Sequence, residues 1–124
     1  MTNGKTLFLN ETELNIMNTE VVIMPYNVKL RCGFFKTQPY VLDIVGKQIV
    51  LYPKHDNDSE KFVIDEDELN TISIIKNKNF AEFEIKTQSV LYLGSLDSNI
   101  NLEELLCDFT RIFGRKFIIN GRDS

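Results

Sequence analysis

Few residues in this sequence could carry out catalysis, and His55 is the only histidine. A serine, cysteine or water nucleophile activated by an imidazole would therefore have to use His55. This residue belongs to the polar segment 54–59, a predicted loop that offers little rigid support for a general base. Cys32 and Cys107 have neither CxxC spacing nor a histidine partner. We interpret both as free thiols and predict no zinc site and no disulfide.

Acidic residues between positions 56 and 68 have the oxygen ligands of a calcium loop, but their spacing does not fit one. An EF-hand loop requires glycine at its sixth position and glutamate at its twelfth. Counted from Asp56, these positions hold Lys61 and Asp67. The sequence also lacks the glycine motifs that cradle phosphates in nucleotide-binding proteins. We therefore predict no metal, no cofactor and no enzymatic activity.

The charged residues are distributed unevenly, and this pattern predicts a binding surface. Residues 29–54 hold five cations against one aspartate, net +4, whereas residues 55–110 hold thirteen acids against four lysines, net −9. The cations could meet an anionic lipid headgroup or an acidic partner. They could equally be solvated side chains that discourage edge-to-edge strand pairing. The candidate binding residues are Lys29, Arg31, Lys36, Lys47 and Lys54.

Two adjacent aromatic residues, Phe34 and Phe35, complete the set of candidate contact residues. Successive side chains of a regular strand point to opposite faces, so one of these two rings is expected to point away from the core. Aromatic rings are enriched at protein interfaces. An outward ring would therefore contact a partner or a second copy of the chain.

The elements that position these residues are predicted to be short strands. From residue 20 onwards, runs of β-branched and aromatic residues alternate with turn formers, a pattern typical of antiparallel strands. In one run Ala81, Phe83 and Ile85 alternate with charged residues, so one face is expected to be buried. Gly46 and Lys47 suit a two-residue hairpin. The predicted strands are 21–24 and 27–35, separated by Pro25, then 40–45, 48–52, 61–65, 71–76, 80–86 and 89–93.

The apolar spacing changes near residue 101, where a helix is predicted. Asn101 with Glu104 resembles a capping box, and Gly114 can end the helix in a left-handed conformation. Cys107 lies off the apolar stripe. The stripe itself consists of Leu102, Leu105, Leu106, Phe109, Ile112 and Phe113, a spacing that predicts a helix over about 101–113.

This order of elements resembles the pleckstrin-homology (PH) fold, and among its branches the short bacterial PH-like and GRAM-like domains. The resemblance implies a mainly β fold, with about seven antiparallel strands in a partly open PH-like barrel capped by the C-terminal α-helix at about 101–113. We predict one PH-like domain over 19–124, preceded by an arm or short first strand over 1–18. The matching segments are 33–36, 40–42, 48–52, 69–74, 83–87 and the closing helix.

One departure from the family pattern bears on the ligand. Many phosphoinositide-binding PH domains carry a K-x(n)-[KR]-x-R pattern from the first strand into the second. In this sequence only Lys36 matches that pattern, and Gln38 stands at the position of the last arginine. The resemblance therefore does not extend to specific inositol-phosphate recognition.

The resemblance and the charge pattern together predict a cytoplasmic, non-enzymatic binding or assembly module. It would mediate protein–protein contact or self-association through a sheet edge around residues 20–36, because unpaired backbone groups are expected there. The alternative is peripheral binding of anionic lipid headgroups through the basic residues. Nucleic acid is not an expected partner of a chain with net charge −4. The longest purely apolar run is the four-residue segment 21–24, too short to span a membrane.

Overall fold

The computed structural model of the protein describes residues 25–34, 36–55 and 59–121. They form eight strands and one α-helix, which confirms the predicted mainly β fold class with a C-terminal helix. The strands of residues 27–93 were each predicted, with bounds that differ by up to four residues. The elements are β1 (Tyr26–Arg31), β2 (Thr37–Val45), β3 (Gln48–Pro53), β4 (Phe62–Ile64), β5 (Leu69–Lys76), β6 (Ala81–Thr87), β7 (Leu91–Leu96), α1 (Leu102–Phe113) and β8 (Phe117–Gly121).

All eight strands belong to one sheet, in the order β4-β3-β2-β1-β7-β6-β5-β8. Neighbouring strands are antiparallel except β5 and β8, which are parallel. Because β1 pairs with both β2 and β7, it lies inside the sheet, and β4 and β8 form the edges. The prediction of a contact edge around residues 20–36 is therefore wrong for β1, because neighbouring strands pair with its backbone groups on both sides. Residues 20–24 and the predicted arm over 1–18 lie outside the described residues.

The sheet curls on itself, as two aromatic contacts show. The rings of Phe62 on β4 and Tyr92 on β7 lie 5.2 Å apart, centroid to centroid, although three strands separate β4 from β7 in the sheet. Phe62 also stacks on Tyr40 of β2 at 6.2 Å. Such contacts require the two halves of the sheet to face each other. The result is a half-barrel with a single core.

The core follows from the alternation of side chains along the strands. Phe83 and Ile85 are buried on β6, while Lys86 is exposed, as the sequence pattern predicted. Burying one such apolar side chain contributes about 1.5–3 kcal/mol. The most deeply buried large side chains come from β2, β3, β5, β6 and α1; they are Leu42, Ile49, Leu51, Ile72, Ile74, Phe83, Ile85, Leu105 and Phe109.

Helix α1 covers the open side of the curled sheet and confirms the predicted helix. The side chain of Asn101 accepts a hydrogen bond from the Glu104 N–H at 3.2 Å, which caps the first turn. Gly114, with φ of 56°, ends the helix. On the buried face, the Phe109 ring contacts Tyr26 of β1 at 5.9 Å and Phe117 of β8 at 5.5 Å. Cys107 is exposed, as expected from its position off the apolar stripe.

Two features of the sheet differ from the sequence-based expectations. Strand β8 was not predicted, since it follows the helix and pairs with β5 far away in the chain. Strand β7 extends to Leu96 rather than ending at residue 93, because Gly94 continues the strand instead of starting a turn. A Cβ at Gly94 would lie 2.6 Å from the Phe83 ring. Because glycine has no side chain, β7 can lie close to the Phe83 ring of β6.

Candidate functional site

The outer face of the sheet contains a groove of about 500 Å³ where β7, β1 and β2 run side by side. Lys29 on β1 lies opposite Pro39 on β2 and Ser95 on β7. Residues opposite one another on neighbouring strands share a face of the sheet. The Lys54 N–H donates to the Pro39 carbonyl at 3.1 Å, which adds the residue after β3 to the same row. We call this site, lined by Lys29, Pro39, Lys54, His55, Ser95 and Asp97, the basic groove.

The core fixes the direction in which the β1 cations point. Val28 and Leu30 are 3% and 4% exposed and face the core. Lys29 and Arg31 alternate with them and must point outwards, where both are exposed. The groove therefore forms on the outer face as a direct result of packing on the inner one.

The described residues balance the charges of the basic groove only in part. Among the described residues, ion pairs join Lys47 to Glu66 and Arg111 to Asp108, and neither pair includes a groove lysine. Asp97 is the one carboxylate among the described residues of the lining. Its Oδ1 accepts a hydrogen bond from the Asn99 N–H at 3.2 Å. Among its described residues, the groove thus presents two lysine ammonium groups, an imidazole and the hydroxyls of Ser95 and Ser98 against one carboxylate that already accepts a hydrogen bond.

Arg31 lies two residues beyond Lys29 on the same face, about 7 Å further along the strand. It lines a neighbouring depression of about 280 Å³ together with Thr37, Ser95 and two acidic residues of β6, Glu82 and Glu84. The depression shares Ser95 with the basic groove. Arg31 therefore extends the cationic surface, but in a more acidic setting.

Two further candidates lie in the turn between β1 and β2. Lys36 is exposed, and its carbonyl accepts a hydrogen bond from the Cys32 N–H at 3.0 Å. Phe34 is 91% exposed, so one ring of the aromatic pair does point away from the core. It does so from a turn and not from a strand. Phe35 lies outside the described residues.

Lys47 is not brought to the groove. It occupies the β2–β3 hairpin, where Gly46 has a φ of 66°, as the predicted two-residue connection requires. Its Nζ lies 3.6 Å from a Glu66 carboxylate oxygen, and both side chains are well exposed. Since β2 is nine residues long, Lys47 and the β1–β2 turn are about 30 Å apart. The structure therefore unites Lys29 and Lys54, places Arg31 and Lys36 nearby, and separates Lys47.

The sequence analysis did not assign four residues to the basic groove that line it in the structure: Pro39, His55, Ser95 and Asp97. Ser95 lies beyond residue 93, where the last predicted strand ended. His55 was assigned to an isolated loop. The register between β1, β2 and β7 unites these positions, and no local pattern in the sequence encodes that register.

Two tyrosines have perturbed acidity, and both contribute to structure. The Tyr26 hydroxyl donates to Asp108 Oδ2 at 3.1 Å between β1 and α1. Burial, and secondarily the Asp108 carboxylate, raise the pKa of Tyr26 above its usual range. Burial also raises the pKa of Tyr92, with smaller contributions from Glu68 and Glu60. Neither hydroxyl lines the basic groove.

Comparison of the sequence with protein-family models and with curated proteins finds no match. In residues 25–34, 36–55 and 59–121, no helix is both long enough and apolar enough to cross a membrane. In this same part of the chain, His, Cys, Asp and Glu side chains form no group of three that could hold a metal ion. The resemblance to PH-like domains thus stays a prediction.

Proposed function

We propose that this chain is a non-enzymatic, PH-like binding module that holds the anionic headgroup of a lipid in the basic groove. The observation that carries the proposal is the convergence of Lys29 and Lys54, which are 25 positions apart in the sequence, in one groove on the outer face of the sheet. The strand order and the closing helix support the PH-like part of the proposal.

The chemistry of the basic groove suits a phosphate group. Lysine ammonium groups, an imidazole N–H and a serine hydroxyl are all donors that phosphate oxygens accept. The volume of about 500 Å³ falls within the range of about 300–1,000 Å³ that is usual for small-ligand sites. A concave site of this size favours a compact headgroup over a flat protein surface.

The neighbouring residues suit a membrane surface. Arg31 and Lys36 would add attraction to an anionic bilayer, at about 1 kcal/mol for each cation near the surface. Phe34, which is 91% exposed beside Lys36, would contact the boundary between headgroups and acyl chains. We propose the cytoplasm as the compartment, because Cys32 and Cys107 are both free and exposed, as is common where thiols stay reduced.

Vesicle sedimentation tests the proposal. Wild-type protein should pellet with vesicles that contain phosphatidylserine, should stay in solution with phosphatidylcholine alone, and should dissociate as salt rises. The double variant Lys29→Glu/Lys54→Glu should bind at least thirtyfold more weakly, since loss of two surface cations costs about 2 kcal/mol.

The matched control is Lys86→Glu/Arg115→Glu, which changes the net charge equally at exposed residues that do not line the basic groove or the depressions beside it. This control should retain most of the binding. If both double variants weaken binding to the same extent, the attraction is general and the groove is not the site. If wild-type protein does not pellet with anionic vesicles, the lipid proposal is wrong.

A second candidate function is protein–protein contact or self-association. It is favoured by a specific observation, the apolar edge strand β8, on which Ile118 and Ile119 are 39% and 50% exposed. In this case the basic groove would be an accessory surface for an acidic partner. The same sedimentation series distinguishes the candidates, because self-association does not depend on lipid.

A further inference from the structure

Two columns of opposite charge lie on the outer face of the sheet, one on each side of β7. Lys29 and Arg31 form the cationic column on β1, where both side chains are exposed. Glu82 and Glu84 form the anionic column on β6. Because Phe83 between them is buried in the core, both glutamates must point outwards. The outer face therefore presents cations on one side of β7 and carboxylates on the other.

The strand register aligns the two columns across β7. Lys29 lies opposite Ser95, and Ser95 lies opposite Glu82, so the three positions form one row on the outer face. Neighbouring strands are about 4.8 Å apart, which places the two columns about 10 Å from each other. Ser95 thus holds a hydroxyl midway between an ammonium group and a carboxylate.

The depression of about 280 Å³ beside the basic groove spans the same two columns. Arg31 lines one side of it and the two glutamates line the other, and Ser95 is shared with the basic groove. In the part of the chain that the structure describes, no ion pair includes a residue of either column. Both glutamates are half-buried. Partly desolvated carboxylates that no described cation pairs with favour a cationic group on a ligand.

We propose that the headgroup bound by this surface carries a primary ammonium as well as its anionic groups, as in phosphatidylserine. Its phosphate and carboxylate would lie against the cations of the basic groove and of β1. Its ammonium would lie across β7 and donate hydrogen bonds to Glu82 and Glu84. Quaternary ammonium groups have no N–H to donate and are recognised by aromatic rings instead, so the carboxylates do not favour phosphatidylcholine. This inference rests on the proposed lipid binding and adds to it a preference among anionic lipids.

Vesicles of equal charge test the preference. Phosphatidylserine and phosphatidylglycerol carry the same net charge, but only phosphatidylserine carries an ammonium group. Sedimentation of the full chain is measured with either lipid at the same fraction in phosphatidylcholine. The wild type should bind the phosphatidylserine vesicles about fivefold more tightly, which is the gain that one solvent-exposed ion pair provides.

The double variant Glu82→Gln/Glu84→Gln should remove this preference in a characteristic way. The variant has a less negative net charge, so its binding to phosphatidylglycerol should become stronger, while the two affinities should become equal. The matched control is Asp67→Asn/Glu103→Gln, which changes the net charge equally at exposed residues that line neither the basic groove nor the depression. The control should keep the fivefold preference.

The proposal is overturned if the wild type binds both lipids equally, or if the preference survives in Glu82→Gln/Glu84→Gln. Binding to phosphatidylglycerol also reports that the double variant is folded. If this binding is lost, the single variants Glu82→Gln and Glu84→Gln replace it, and each should lower the preference. Absence of wild-type binding to both lipids refutes lipid binding as a whole, whereas equal binding to both refutes the preference alone.

Discussion

Replacement of Gly94 by alanine tests the packing that positions the basic groove. Gly94 on β7 lies between Leu30 on β1 and Phe83 on β6, on the core face of the sheet. A Cβ at this position would lie 2.6 Å from two atoms of the Phe83 ring and would also collide with the Lys29 carbonyl oxygen. Phe83 is only 1% exposed, so its ring has little room to move.

The expected destabilisation follows from two opposing effects. Overpacking of a well-filled core costs about 1–3 kcal/mol. Alanine in place of glycine offsets about 0.5–1 kcal/mol of this cost, because the unfolded chain then has less conformational entropy to lose on folding. The collision with a backbone oxygen puts the cost near its upper limit of about 3 kcal/mol, so the net loss in unfolding free energy should be about 2–2.5 kcal/mol. A domain of ordinary stability, about 5–15 kcal/mol, would still fold.

Urea unfolding followed by circular dichroism measures this loss. With a slope of about 2 kcal/mol per molar urea, the midpoint for Gly94→Ala should fall by about 1–1.3 M. Gly33→Ala is the matched control, since its Cβ would meet only Lys36 Cβ, at an ordinary contact distance of 3.6 Å. The control should stay within about 0.5 kcal/mol of wild type.

Equal midpoints for the two alanine variants would refute this account of the strand contact. A double variant examines the cause more directly. If the Phe83 ring is the main obstacle, Gly94→Ala should cost less in a Phe83→Leu background than in the wild type, and the difference is the coupling energy of the pair. If the Lys29 carbonyl dominates instead, the cost should be the same in both backgrounds.

Three further predictions concern α1 and its contacts. Asn101→Ala should lower the unfolding free energy by about 1 kcal/mol through loss of the N-cap, while Asn99→Ala in the preceding loop should change it little in the same thermal melts. Phe109→Ala should cost about 3–5 kcal/mol in urea unfolding, because a fully buried ring is removed. The pKa of Tyr26 is raised in the folded state, so above about pH 10 the folded protein keeps the phenol proton that the unfolded chain loses. The free energy of unfolding should therefore fall as the pH rises above about 10. Tyr26→Phe should reduce this loss of stability, measured by unfolding between pH 8 and 11.

The parts of the fold that were predictable from sequence depend on local patterns. The alternation of Phe83 and Ile85 with charged residues identifies a half-buried strand without knowledge of its neighbours. The apolar stripe and the Asn101 cap likewise define α1 within a single segment. Gly46 indicates the tight hairpin because a positive φ is needed there. In each case the residues that carry the signal are within a few positions of one another.

The parts that were missed depend on contacts between distant segments. Strand β8 is stabilised by parallel pairing with β5 and by the contact between Phe117 and Phe109. A run of only three apolar residues, 117–119, is too short to indicate a strand by itself. The last predicted strand ended one residue before Gly94 for a related reason. Its role becomes evident only beside the Phe83 ring, which a different strand supplies.

The candidate site shows the same limit with a functional consequence. The charge count identified residues 29–54 as basic, but it could not decide which cations share a face. That question is settled by the position of β1 between β2 and β7, which aligns Lys29 with Pro39 and, through the Pro39 carbonyl, with Lys54. The same arrangement removes β1 from the sheet edge and leaves β4 and β8 as the edges of the described sheet. The position of β1 inside the sheet therefore both creates the groove from the basic segment and excludes β1 as a pairing edge.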